Sequence, residues 1–260
     1  MKTLSYSESI DTLNEVFEEK GRIVFPRFGD VDFIMMTKTS GTIGRSNQNV
    51  CNDETKKLLT DAFTIDGEDV IVGTMINIQG APAIGNNIPK KVLSEQGVFK
   101  LKKNPFVAAT ALERMFLNKD NRFIDFFSKL KNKNYLFVGN YYEKALDRFY
   151  GYNVGHVNTP MRNSINDNGL IIQELTDLIE KTATNTVILS CGQLARVICK
   201  RLHNKFPNTN FIDVGSVSDM IIVNTDSFEK IPKRTHIECN LNKIKNNLQY
   251  YESRINNNNS

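Results

Sequence analysis

The sequence predicts an α/β fold of Rossmann-like type, a mostly parallel sheet with helices on both faces. Three observations carry that expectation. Thr186-Val187-Ile188-Leu189-Ser190 is a short β-branched run, Cys191-Gly192 a turn, Gln193 to Phe206 a helical stretch, and Phe211-Ile212-Asp213-Val214-Gly215 a second run. A strand, helix and strand within about thirty residues make a βαβ unit, with parallel strands and a right-handed crossover. The same alternation recurs upstream, as at Tyr135-Leu136-Phe137-Val138-Gly139, and repeated alternation is the pattern of a layered α/β domain. At 40% hydrophobic residues, the 260-residue chain has ample material for a core.

Taken in order, Ile10, Leu13 and Phe17 share one face of a helix that Gly21 ends. Arg22-Ile23-Val24-Phe25 follows as a strand, and Pro26, which lacks a ladder donor, ends the pairing near Arg27. From Thr37 to Asn49 the Gly, Ser, Thr and Asn content suits a mobile loop able to close over a ligand. Asn52 or Asp53 caps a helix carrying Leu58, Leu59, Ala62 and Phe63, and Val70-Ile71-Val72-Gly73 reads as a buried strand. Residues 74 to 104 carry no clear period. Pro105 suits the first turn of a helix with Ala108, Ala111, Leu112 and Met115, and Phe123, Phe126, Phe127 and Leu130 mark another. Glu143 to Tyr150 is helical, Asn153 to Val157 extended, and Leu170 to Ile179 helical with Asp167 or Asn168 as its cap. Leu241, Ile244, Leu248 and Tyr251 form a last helical face. With no linker in sight, residues 1–255 read as one domain and 256–260, Asn-rich, as a disordered tail.

Composition excludes several classes. The net charge of +4 comes from 33 basic and 29 acidic residues spread along the chain without a long like-charged run, which argues against a nucleic-acid partner. Four cysteines, at 51, 191, 199 and 239, show neither a C-x-x-C pair nor zinc-finger spacing and read as reduced thiols. The N-terminus lacks the apolar core of a signal peptide, and nowhere do about eighteen apolar residues run together. A soluble, cytoplasmic protein without a transmembrane segment is the expectation.

Four segments could carry chemistry. Asp30 and Asp32 lie just past a strand end and can offer hard oxygens to Mg²⁺ or Mn²⁺, although a D-x-D pair is also an ordinary turn or cap. Ligands of open α/β sheets bind beyond the carboxyl ends of strands, which favours the first reading. At Cys191-Gly192-Gln193 a strand feeds a helix through a glycine, so backbone N–H groups and the helix dipole can receive an anion, or the glycine can merely permit the turn. Asp213 and Gly215 end the next strand, where a carboxylate could hold a sugar hydroxyl or cap a turn. Arg162 and Asn163, in Thr159-Pro160-Met161-Arg162-Asn163-Ser164, supply polar groups in a loop. His156, Glu143 and Asp147 read as packed or solvated side chains. There is no G-x-G-x-x-G or Walker fingerprint.

Together and in order, these segments resemble the GT-D glycosyltransferases, a family with a Rossmann-like fold formerly described as a domain of unknown function. Arg27-Phe28-Gly29-Asp30-Val31-Asp32 is similar to the family's R-[FY]-G-D-G-E, Pro160 to Ser164 to its P-x-R-N-[AS], Cys191 to Ala195 to its G-P-x-A turn, and Ile212 to Gly215 to its I-D-[IL]-G. Val31 replaces a glycine, Asp32 a glutamate and Gln193 a proline. The resemblance spans residues 20 to 220 and implies a metal-dependent transferase moving a sugar from a nucleotide donor, a UDP- or GDP-sugar, to a glycan or glycoprotein hydroxyl. Asp30 and Asp32 would hold Mn²⁺ or Mg²⁺ at the catalytic centre. Arg27, Gly29, Arg162, Asn163, Gly192, Gln193, Asp213 and Gly215 would bind the donor. Competing readings are a Rossmann-like hydrolase or methyltransferase, or a catalytically silent binding protein.

Overall fold

Ser5 opens the first helix by accepting from the Glu8 amide while Glu8 reaches back to the Ser5 amide, and Gly21, at φ +64°, closes it. This Tyr6–Lys20 helix lies in a computed structural model that describes residues 4–43, 49–75, 103–130, 133–230 and 235–257. Its strands are β1 (Val24–Phe25), β2 (Arg27–Phe28), β3 (Thr42–Ile43), β4 (Asn49–Val50), β5 (Gly73–Thr74), β6 (Val107–Ala108), β7 (Asn134–Gly139), β8 (Tyr152–Asn158), β9 (Thr186–Ser190) and β10 (Asn210–Asp213).

The main sheet runs β1-β10-β9-β7-β8 with every pair parallel, and β2-β5-β6 form a second parallel set. Pro26 divides the stretch from Val24 to Phe28 between the two. On the β10 side, backbone pairing stops at Phe25, opposite Ile212. On the other side the ladder runs on, with Ile71 donating to Val24 O and Gly73 to Pro26 O. Pairing thus ends before Arg27 on one flank and continues through Phe28 on the other, because a strand residue presents its N–H and C=O to a single neighbour.

Side chains alternate across this sheet. Phe25, Ile212, Ile188 and Phe137 pack on one face with the helices Tyr6–Lys20, Ala111–Leu117, Arg122–Ser128, Val217–Ile221 and Leu241–Asn257. Val24, Phe211, Val187, Leu189 and Val138 pack on the other with Asp30–Thr37, Asp53–Phe63, Asn168–Thr182 and Leu194–Leu202. The Rossmann-like prediction of a mostly parallel sheet covered on both faces is therefore met.

Several local expectations change. Pro105 precedes a strand, β6, which accepts a place beside Val72 and Thr74, and the helix begins only at Ala111. The supposed loop from Thr37 begins with the last residue of a helix, and β3 and β4 pair as an antiparallel hairpin whose tip, 44–48, lies outside the described residues. Residues 76–102, most of the stretch without a period, also lie outside them. The last helix runs to Asn257, two residues into the predicted tail, and 258–260 are outside.

Candidate functional site

The carboxyl ends of β7, β8 and β9 open into a crevice. After β7 the chain passes to the face of Leu146 and Phe149 and goes outward to β8, whereas after β9 it passes to the face of Leu194 and Ala195 and goes inward to β10. Connections that part in opposite directions leave a gap at the strand ends, the usual ligand position in open α/β sheets. Lining it are Asn140 and Tyr141 past β7, Met161, Asn163 and Ser164 past β8, and Ser190, Cys191, Gly192 and Gln193 past β9. Ser218 and Asp219 from the Val217–Ile221 helix and Asn49 of the hairpin complete it.

Of the predicted donor residues, the crevice thus brings together Asn163, Gly192 and Gln193. Gly192 has φ +59° and open space where a Cβ would stand, so its glycine answers to backbone conformation and not to crowding by the protein. Asn163 is itself left-handed, at φ +54°, and its Oδ1 accepts from Val50 N at 2.9 Å, tying the hairpin to the loop. Ser164 Oγ donates to Cys191 O at 3.1 Å and joins that loop to the turn. Arg162 is exposed beside Asn163. Cys191 is buried, and burial foremost pushes its thiol pKa up, so it stays protonated near neutrality.

Arg27, Asp32 and Asp213 turn inward. Arg27 is 7% exposed; its Nη1 donates to both Glu113 oxygens at 2.7 Å and to Ala109 O at 2.9 Å. Asp213, fully buried, accepts from Arg27 N at 3.3 Å and Gly215 N at 3.1 Å, and lies 2.9 Å from Arg196 Nη1. Asp32, 1% exposed, accepts through Oδ2 from Gly29 N at 2.7 Å and Arg196 Nη2 at 3.1 Å. Glu113, Arg27, Asp213, Arg196 and Asp32 form one chain of alternating charge, with one more carboxylate than guanidinium. Burial favours neutral arginines, but the carboxylates of Glu113 and Asp213 outweigh it at Arg27, as those of Asp32 and Asp213 do at Arg196. Burial raises the Asp32 pKa, against the pull of Arg196 and the Gly29 amide. Gly215, at φ +50°, leaves room for Arg27: a Cβ there would stand 1.5 Å from Arg27 Nη2.

The expectation that Arg27, Asp213 and Gly215 bind the donor meets an arrangement in which Arg27 Nη1, both Asp213 oxygens and the space beside Gly215 are taken up by the protein's own groups, while Arg27 Nε is buried without a hydrogen-bond partner. The chain of charges also separates the acidic pair. Asp30 and Asp32 are the first and third residues of a helix, about 200° apart around its axis. Asp30 is exposed and its Oδ1 accepts from Val31 N at 2.9 Å, while Asp32 points into the core. A chelate shared by both does not fit this arrangement. Asp30 by itself would offer one exposed carboxylate to a divalent cation, and it is not among the residues that line the crevice. Among the described residues no group of three or more His, Cys, Asp or Glu side chains is placed to hold a metal.

Glu113 and Arg196 escaped the sequence reading, because each sits on an amphipathic helix where a charge ordinarily marks the solvent face. A readable clue was the acid at the third position of a helix, which reaches back to the amide before it.

This architecture is shared with solved structures. A selenomethionine-substituted structure of domain of unknown function 1792 is similar at 16% identity, covering 87% of this chain and 86% of that one, with a TM-score of 0.55. A second, described as showing that this highly conserved domain has a distinct glycosyltransferase fold, is similar at 17% identity, covering 87% and 84%, with a TM-score of 0.53. No family model and no curated protein matches the chain. The chain has this glycosyltransferase fold, in agreement with the resemblance its motifs carry.

Proposed function

We propose that the protein transfers a sugar from a nucleotide donor to a hydroxyl acceptor. The observation that carries this reading is the crevice between the ends of β7 and β9, rimmed by the Gly192 turn and the Asn163 loop, on a glycosyltransferase fold. Backbone N–H groups where β9 enters the Leu194–Leu202 helix favour negative charge, as a diphosphate requires. Asn163, Gln193 and exposed Arg162 offer polar and charged contacts around it. The donor is a UDP- or GDP-sugar and the acceptor a glycan or glycoprotein. Asp30 would hold a divalent cation, which when bound would neutralise charge on the leaving diphosphate. No helix among the described residues is long and apolar enough to cross a membrane, and the four cysteines are unbridged, which suits a reducing, cytoplasmic setting.

Titration calorimetry with UDP and GDP, with and without Mn²⁺, followed by nucleotide release from a panel of their sugars, tests this reading. One nucleotide should bind, turn over as its sugar, and lose much of its affinity in Asp30→Asn. Failure of both nucleotides to bind at millimolar concentration would sink it, and turnover unaffected by chelation would remove the metal.

A further inference from the structure

We infer that Asp32 is a positioning residue, acting through Arg196 on the Gly192 turn, and not a ligand of a metal ion. Arg196 is the hub. Its guanidinium, on a residue 8% exposed, reaches Asp32 beyond β2, Asp213 at the end of β10, and the Gly192 carbonyl beyond β9. The two nitrogens divide the work, Nη2 to Asp32 at 3.1 Å and Nη1 to Asp213 at 2.9 Å and to Gly192 O.

A trans peptide unit carries its C=O and N–H in opposite directions. Arg196 draws the Gly192 carbonyl inward, so the N–H of the same unit, that of Gln193, is aimed the other way, and Gly192 and Gln193 both line the crevice. Asp32 holds Arg196 in place from the far side and is itself fixed by the Gly29 amide. A fixed guanidinium already supplies Asp32 with its counter-charge, and a divalent ion beside it would meet that cation at short range. Asp32 Oδ1 is buried without a hydrogen-bond partner, which is the one feature that a ligand role would use.

The ligand side of this inference rests on the nucleotide-sugar reading, so the test has one arm that does not. Full-length Asp32→Asn, Arg196→Lys and Asp30→Asn would be compared by amide hydrogen exchange, by Mn²⁺ binding from the free-ion resonance signal, and by UDP and GDP affinity without metal. Asp32→Asn should speed exchange at 191–195 well beyond any change elsewhere, leave Mn²⁺ binding at its wild-type level, and weaken nucleotide by about tenfold, an ordinary coupling between linked sites. Arg196→Lys, which keeps the charge but not the fork, should loosen the same segment. Asp30→Asn should leave that exchange unchanged. Loss of Mn²⁺ binding in Asp32→Asn with unchanged exchange at 191–195 overturns the inference, as does a rise in exchange spread evenly over the chain. If wild-type protein binds neither nucleotide but the local loosening is seen, the nucleotide-sugar reading fails and the positioning role stands.

Discussion

Gly215 is a glycine because Arg27 occupies the space where its Cβ would stand and because φ is +50° there. Gly215→Ala should cost about 2–5 kcal/mol, combining left-handed strain with overpacking. Denaturant melts check this, and a variant within half a kcal/mol of wild type would show that Arg27 moves aside freely. The sequence pointed to Arg27, Asp32, Asp213 and Gly215 as special but gave them to a ligand. What it hid was who meets whom: Arg27 pairs with Glu113 86 positions away, and Asp32 with Arg196 164 positions away. A buried ion network leaves no periodic trace, since each member lies on a different element. That Asn163, Gly192 and Gln193 lie at a loop and a turn beyond strand ends was legible because the strand-turn-helix pattern and the loop composition are local.

At the scale of elements, Arg122 ties two helices together. It grips Asp120 through Nε at 3.0 Å and Nη2 at 2.6 Å, and its Nη1 reaches Asp11 at 2.7 Å and Ser7 at 3.1 Å on the Tyr6–Lys20 helix. The hydrogen bonds from Arg122 foremost hold the Asp120 carboxyl below its usual range. The folded state therefore binds the Asp120 proton less readily than the unfolded chain, and the linked stability is present above about pH 3.9 and lost as pH falls through the lower folded value. Asp120→Asn should cost about 0.2–1 kcal/mol at pH 7, with the difference from wild type shrinking below about pH 4. Urea melts across that range check it, and a difference that grew on acidification would reverse the assignment. Other elements show why some boundaries were illegible. Pro105 was read as a helix start because its fixed φ suits a first turn, yet two residues on, Val107 and Ala108 complete a ladder with β5, a partner that no local signal names. The D-x-D segment was placed just past a strand end as a shared pair of ligands, or else as a turn or cap; it opens a helix whose winding sends the two carboxylates apart.

For the whole molecule, alternation of strand and helix was legible and strand order was not, because periodicity shows that a segment is a strand but not which strand lies beside it. The order also sets the timetable of folding. The stretch Val24 to Phe28 lies between β5 and β10, and its pairing with β10 joins residues 187 positions apart. Contacts of such separation fold slowly, since long loops must close before they are rewarded. A nascent chain that has released β1 but not yet β10 holds a central strand with one flank bare, and Arg27, Asp32 and Arg196 without Asp213. The region is then an aggregation hazard until Asn210–Asp213 emerges. A chain ending at Phe206 should accordingly show no cooperative thermal transition, as scanning calorimetry can check. Premature termination anywhere before β10 would therefore yield a product unable to fold, rather than a shortened enzyme.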